Sequence, residues 1–142
     1  MRIRVEVEIR PTEDEEKVKA AVLNIFTPSR MEIEERGRSR VLIAEAEKAE
    51  ALEKLHAKLR QQQILDAARS MITRWSSDER VVFYLHKQAA LMGIVTFCLP
   101  KGESPLGPIK VEVTDVDVKA FIDWLTPPTS KGKPLFEREP PR

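Results

Sequence analysis

Residues 2–10 read Arg-Ile-Arg-Val-Glu-Val-Glu-Ile-Arg, an alternation with no break in it. Successive side chains of an extended chain point to opposite faces, so Ile3, Val5, Val7 and Ile9 share one side and Arg2, Arg4, Glu6, Glu8 and Arg10 the other. That is a strand with one buried face and one wet, charged face. Pro11 stops it, and Thr12-Glu13-Asp14-Glu15 has the form of a capping box, in which hydroxyl and carboxylate satisfy free amides at a helix start. The extra acids suit the positive end of the helix dipole. Val18, Ala21, Val22 and Ile25 then fall on one helical face before Pro28 closes the unit.

The rest of the chain follows the same logic. Met31 and Ile33 alternate with Glu32 and Glu34 as a short strand, Gly37 allows a bend, and Val41-Leu42-Ile43-Ala44 returns. From about Glu47 the period becomes helical, with Leu52, Leu55 and Leu59 in one stripe and Ile64, Leu65, Ala68, Met71, Ile72 and Trp75 in a second. The polar stretch 60–63 divides them into two helices or one bent helix. Strands are expected at 80–86 and 94–99, a loop over Pro100–Pro108, and a strand carrying Ile109, Val111 and Val113. Asp115 or Asp117 can cap a last helix with Val118, Phe121, Ile122 and Leu125, stopped by Pro127-Pro128. One domain over 1–127 is therefore expected. Residues 128–142, with four prolines and no periodicity, read as a disordered or loosely docked tail.

Composition narrows the function classes. With 24 basic and 23 acidic residues the formal net charge is only +1, so a nucleic-acid role needs the cations gathered on one surface. A single cysteine gives no disulfide framework and fits a reducing compartment. No apolar run approaches the ~20 residues of a membrane span, and the cytoplasm is the expected location. One asparagine and four glutamines among abundant Lys, Arg and Glu lean towards a thermophilic source. Two histidines and one cysteine provide no metal spacing and no nucleophile–base pair. The five glycines form no phosphate-cradling or dinucleotide loop. A non-enzymatic protein without cofactor or metal is expected.

Two short segments carry the candidate chemistry. Arg36-Gly37-Arg38-Ser39-Arg40 puts three arginines on a hairpin tip, where they serve either as solvated charges that block edge pairing or as a finger for phosphate oxygens. His86-Lys87-Gln88-Ala89-Ala90-Leu91-Met92-Gly93 places a cation, an amide and a small apolar patch between two apolar runs. It is either an ordinary connector or a binding loop.

Together with Ile9–Val18, Leu59–Arg69 and Gly107-Pro108-Ile109, the Lys87-Gln88-Ala89-Ala90 run resembles an archaeal family of proteins predicted to bind RNA and to associate with the exosome. The likeness runs from the first strand to about Pro127. It implies an α+β fold similar to the large-subunit ribosomal protein that binds 5S RNA: an antiparallel sheet with helices packed on one face, and a homodimer. His86 departs from the polar amide that relatives often carry there.

Two readings follow. In the first, structured RNA is bound on a basic surface built from Arg2, Arg4 and Arg10 on the sheet and from Arg36, Arg38, Arg40, Arg60, Arg69 and Lys87. Gln88 reads a 2′-hydroxyl or base edge, and Tyr84 and Trp75 are the aromatics available for stacking. In the second, the chain is a dimeric structural or interaction module, and Arg60, Arg69, Lys87 and Gln88 serve the fold. Exposure of those four side chains separates the readings.

Overall fold

The computed structural model describes residues 1–100 and 107–142. In chain order the elements are β1 (Arg2–Ile9), α1 (Glu15–Leu23), β2 (Arg30–Arg36), β3 (Ser39–Ala46), a 3₁₀ turn (Ala49–Leu52), α2 (Glu53–Gln61), α3 (Leu65–Trp75), β4 (Arg80–His86), α4 (Lys87–Leu91), β5 (Pro108–Thr114), α5 (Val118–Leu125), β6 (Thr129–Ser130) and β7 (Lys133–Pro134). Among the described residues, five strands form one sheet in the order β2-β3-β1-β5-β4, antiparallel throughout. The alternation in β1 is obeyed without exception: Ile3, Val5, Val7 and Ile9 are sealed under the helices. Register aligns them with Ala46, Ala44 and Leu42 on one side and with Val113, Val111 and Ile109 on the other. Val81, Phe83 and Leu85 of β4 extend the same layer, which packs on Val22, Ile25, Leu55, Leu59, Ile72 and Phe121. The fold is α+β with its helices on one sheet face, as expected.

The β2–β3 turn needs only Gly37 and Arg38, because Arg36 pairs with Ser39. Gly37 takes a φ of 62°, the left-handed conformation that a two-residue hairpin demands at its first central position. The polar stretch between α2 and α3 is a true break, with Gln63 at a φ of 57°.

Three expectations are corrected. Asp14, rather than Thr12, caps α1: its carboxylate accepts from the Glu16 amide, because Arg10–Glu13 closes a separate turn in which the Glu13 amide donates to the Arg10 carbonyl. The Glu13 carboxylate reaches back to accept from the Arg10 amide at 2.9 Å. Segment 94–99 is not a strand and makes one isolated bridge, Phe97 with Leu85. The Gln62 side chain occupies the ladder groups of Val95, accepting from its amide at 2.7 Å and donating to its carbonyl at 2.9 Å. The tail is ordered onto the domain. β6 and β7 form a hairpin, Thr129 bonds Asp66, and Glu137 receives two bonds from Arg60 at 2.7 and 2.9 Å. Residues 101–106 of the expected loop lie outside the described residues.

Candidate nucleic-acid interface

The sheet face away from the helices is where the alternating sequence puts its charges. β1 contributes Arg2, Arg4, Glu6 and Glu8; β2 contributes Arg30, Glu32, Glu34 and Arg36; β5 and β4 add Lys110, Glu112 and Arg80. Register sets these signs against one another. Arg2 pairs with Glu45, Arg4 with Glu6, Arg36 with Glu6 (3.0 Å) and Glu34 (2.9 Å), and Arg80 with Glu112. Arg10 lies 3.6 Å from Glu8. The Arg36 guanidinium is held above its usual range by Glu34 first and Glu6 second. The long stems also roof Val41, Ile43 and Val82, which are 6%, 3% and 8% exposed although they point away from the core. The expected contribution of Arg2, Arg4 and Arg10 to a basic surface is therefore overturned: this face is a lattice of opposite charges.

The seven candidate residues divide into three separate places. At the hairpin tip, Arg36 is paired as above, and Arg40 turns to the helix side and binds Glu15 of α1. Lys19 first and Arg40 second hold the Glu15 carboxyl below the usual range. Arg38 sits on the exposed turn and makes no ion pair among the described residues.

The second place is the end of α5. Arg60 donates to the Leu125 and Trp124 carbonyls at 3.2 and 3.3 Å, and Arg69 to the Thr126 carbonyl at 2.8 Å and the Asp123 carboxylate at 2.9 Å. Two guanidiniums thus satisfy the orphan carbonyls at a helix C-terminus, where the dipole also favours them. Both side chains serve the fold here, and they lie apart from the hairpin tip with which they were expected to form one basic surface.

Lys87 and Gln88 open α4, where the His86 imidazole caps the helix by accepting from the Ala89 amide at 3.3 Å. Lys87 is 4% exposed, and its ammonium donates to the Glu8 carbonyl at 2.8 Å and to the Glu13 carboxylate at 3.0 and 3.1 Å. Burial lowers its pKa, with Glu13 working in the opposite direction. A cation held this way is not a phosphate ligand. Gln88 lies beside it with its Oε1 buried and unpartnered, out of reach of a 2′-hydroxyl on an open surface.

What the structure does bring together is an open depression of about 430 Å³ on the charged sheet face. Tyr84 and Val41 give it apolar surface; Glu6, Glu8, Arg36 and Lys110 are its charged members. Tyr84 is braced by the edge of Trp75, ring centroids 5.3 Å apart at 84°. Arg36 and Ser39, which also line it, are the pair that closes the turn carrying Arg38. Lys110, Glu6 and Glu8 did not stand out as site residues in the sequence. Their outward parity was readable, but the adjacency of β1 and β5 joins residues about a hundred positions apart.

The fold is of the α+β class, with one helix-covered sheet face and one open face that carries Tyr84. A family model described as RNA binding matches residues 2–114, from β1 to the end of β5, and the chain belongs to that family. Its relatives are archaeal UPF0201 proteins. That of Metallosphaera sedula is 46% identical over 140 residues, covering 99% of this chain and 97% of the relative. That of Pyrobaculum aerophilum is 46% identical over 142 residues, covering 99% of each. The crystal structure of the UPF0201 protein from Methanococcus jannaschii superposes with a TM-score of 0.85 at 31% identity, over 96% of this chain and 100% of that one. The archaeal family seen in the sequence motifs is thereby established.

Proposed function

We propose that the protein binds RNA by taking one unpaired nucleotide onto the open sheet face beside the β2–β3 tip. The observation that carries this reading is the aromatic-floored depression with an acid-free arginine, Arg38, on the turn that borders it. The family match over residues 2–114 supports the ligand class. The base stacks on Tyr84, Arg38 and Lys110 take phosphate oxygens, and Arg36 exchanges a carboxylate for a phosphate. Glu6 and Glu8 accept from the ribose 2′-hydroxyl, the group that distinguishes RNA from DNA. A near-neutral molecule binds in this way because stacking and hydrogen bonding, and not bulk charge, supply the affinity.

Fluorescence anisotropy with a short unpaired RNA and its DNA counterpart tests the site. Tyr84→Leu is expected to weaken RNA binding by 1–3 kcal/mol, about 5- to 150-fold, and the RNA form to bind more tightly than DNA. Equal binding of RNA and DNA, unchanged by Tyr84→Leu, refutes the assignment. The burial of Lys87 and the engagement of half-buried Arg60 and Arg69 by the end of α5 favour a second reading, a non-catalytic homodimeric interaction module. Sedimentation at micromolar concentration, together with absence of RNA binding in the first assay, would favour that reading.

A further inference from the structure

The molecule neutralises nearly every cation on its sheet face, yet one helical surface does the opposite. Leu23 at the end of α1, and Met92 and Ile94 just past α4, are 38%, 76% and 51% exposed. They are neighbours in space. The Asn24 side-chain amide ties the two helix ends by donating to the Ala90 and Leu91 carbonyls at 2.9 and 3.2 Å. From α2, Lys54 donates to the Leu23 carbonyl and Lys58, one turn on, to the Gly93 carbonyl, both at 2.8 Å. Neither lysine has a carboxylate partner among the described residues. The strip continues between α1 and α4 as a groove of about 280 Å³ whose apolar lining is Val18, Ala21 and Leu91, with exposed Lys17 on its rim. At the far end the acids are already engaged, Glu13 by Lys87 and Asp14 as the cap of α1.

Exposed aliphatic side chains gathered in one place mark a contact surface. An unbranched methionine at its centre adapts to varied partners. We propose that this surface docks an acidic amphipathic helix of another protein, its apolar residues covering Leu23, Met92 and Ile94 and its carboxylates meeting Lys54, Lys58 and Lys17. The geometry is that of a helix laid into a groove between two helices. Charge decides the occupant. A second copy of this chain would bring the same ammoniums face to face, and RNA would gain nothing from three aliphatic side chains with no ring among them.

The test uses the full chain and two labelled peptides of about sixteen residues, roughly four helical turns. Both carry leucines at i, i+3 and i+7; one is rich in glutamate, the other in lysine. The acidic peptide is expected to bind, and the lysine peptide at least about tenfold more weakly. Lys54→Glu with Lys58→Glu should weaken the acidic peptide by about tenfold, and Met92→Glu with Ile94→Glu should abolish its binding. Lys54, Met92 and Ile94 are exposed and Lys58 is half-buried. An unchanged circular dichroism spectrum and a cooperative melting transition report that both variants are folded. No acidic-peptide binding up to millimolar concentration, or equal binding of both peptides, overturns the proposal. So does a shift from dimer to monomer in Met92→Glu with Ile94→Glu, or loss of RNA binding in either folded variant.

Discussion

Lys87 supplies the sharpest separation between a side chain that serves the fold and one that meets a ligand. Its ammonium and the Glu13 carboxylate form a pair whose side chains are 4% and 8% exposed. Lys87→Met keeps the stem and removes the charge, leaving a buried carboxylate with one remaining donor, the Arg10 amide. Losing one partner of a buried pair costs about 3–5 kcal/mol. Glu13 keeps that amide bond, so the lower figure of about 3 kcal/mol is expected. At ~2–4 °C per kcal/mol for a domain near this size, the melting temperature should fall by about 10 °C. Adding Glu13→Gln removes the stranded charge while retaining an acceptor for the Arg10 amide, and should restore most of the loss, giving a coupling of about 2 kcal/mol. Thermal and urea unfolding of the two single variants and the double variant measure this cycle. RNA affinity of Lys87→Met at a temperature where it stays folded should be unchanged. A stable Lys87→Met variant with weakened RNA binding would refute the structural assignment and return Lys87 to the binding surface.

His56 predicts a pH dependence. Its ring stacks on Trp124 at 4.9 Å, and burial first, then the Arg60 charge, lowers its pKa. The unfolded chain therefore takes the proton at higher pH than the folded one. Stability is full above the ordinary histidine range and falls as pH drops through it, levelling below the folded value. His56→Phe should flatten that part of a stability–pH curve measured by urea unfolding. At the tail, the Arg60 guanidinium holds the Glu137 carboxyl below the usual range. Glu137→Ala should cost less than about 1 kcal/mol globally but speed amide exchange across residues 128–137. Arg60→Ala also strands the Trp124 and Leu125 carbonyls and should cost about 2 kcal/mol in the same unfolding assay.

The fold was legible where one residue type has one physical use. Period-two alternation placed β1, β2 and β5, and the continuous apolar run 41–44 placed β3, because aliphatic side chains gain by leaving water whatever lies across the strand. Leucine spacing placed α2 and α3 for the same reason. Legibility failed where a residue's role depends on a partner distant in sequence. Lys87 reads as a surface cation until Glu13, 74 positions away, is seen beside it. Arg60 and Arg69 read as solvent-facing until the end of α5 is laid over them. Ile94–Phe97 has the composition of a strand, but the Gln62 amide takes the Val95 groups a ladder would have used. The tail has no periodicity, and its docking rests on single polar contacts that composition does not register. Of the candidate site, the arginine tip and Tyr84 were readable from sequence. Their common depression was not, because it depends on the order of the strands.

On the proposed reading, this nearly neutral molecule meets RNA with three cations at one end of the sheet and a stacking ring, not with a broad basic surface. Arg38 has no acid partner among the described residues, while Arg36 and Lys110 (3.9 Å from Glu112) exchange a carboxylate for phosphate. The slope of log affinity against log salt measures the number of such contacts, at about −0.7 per phosphate on single strands. Three contacts, Arg36, Arg38 and Lys110, give a slope of about −2.1 and a loss of about 18-fold between 50 and 200 mM salt. Six cations, Arg36, Arg38, Arg40, Arg60, Arg69 and Lys87, would give about −4.2 and a loss of about 300-fold. The structure predicts the shallow slope, reduced by a further ~0.7 in Arg38→Ala. A steep slope that Arg38→Ala leaves unchanged would contradict it.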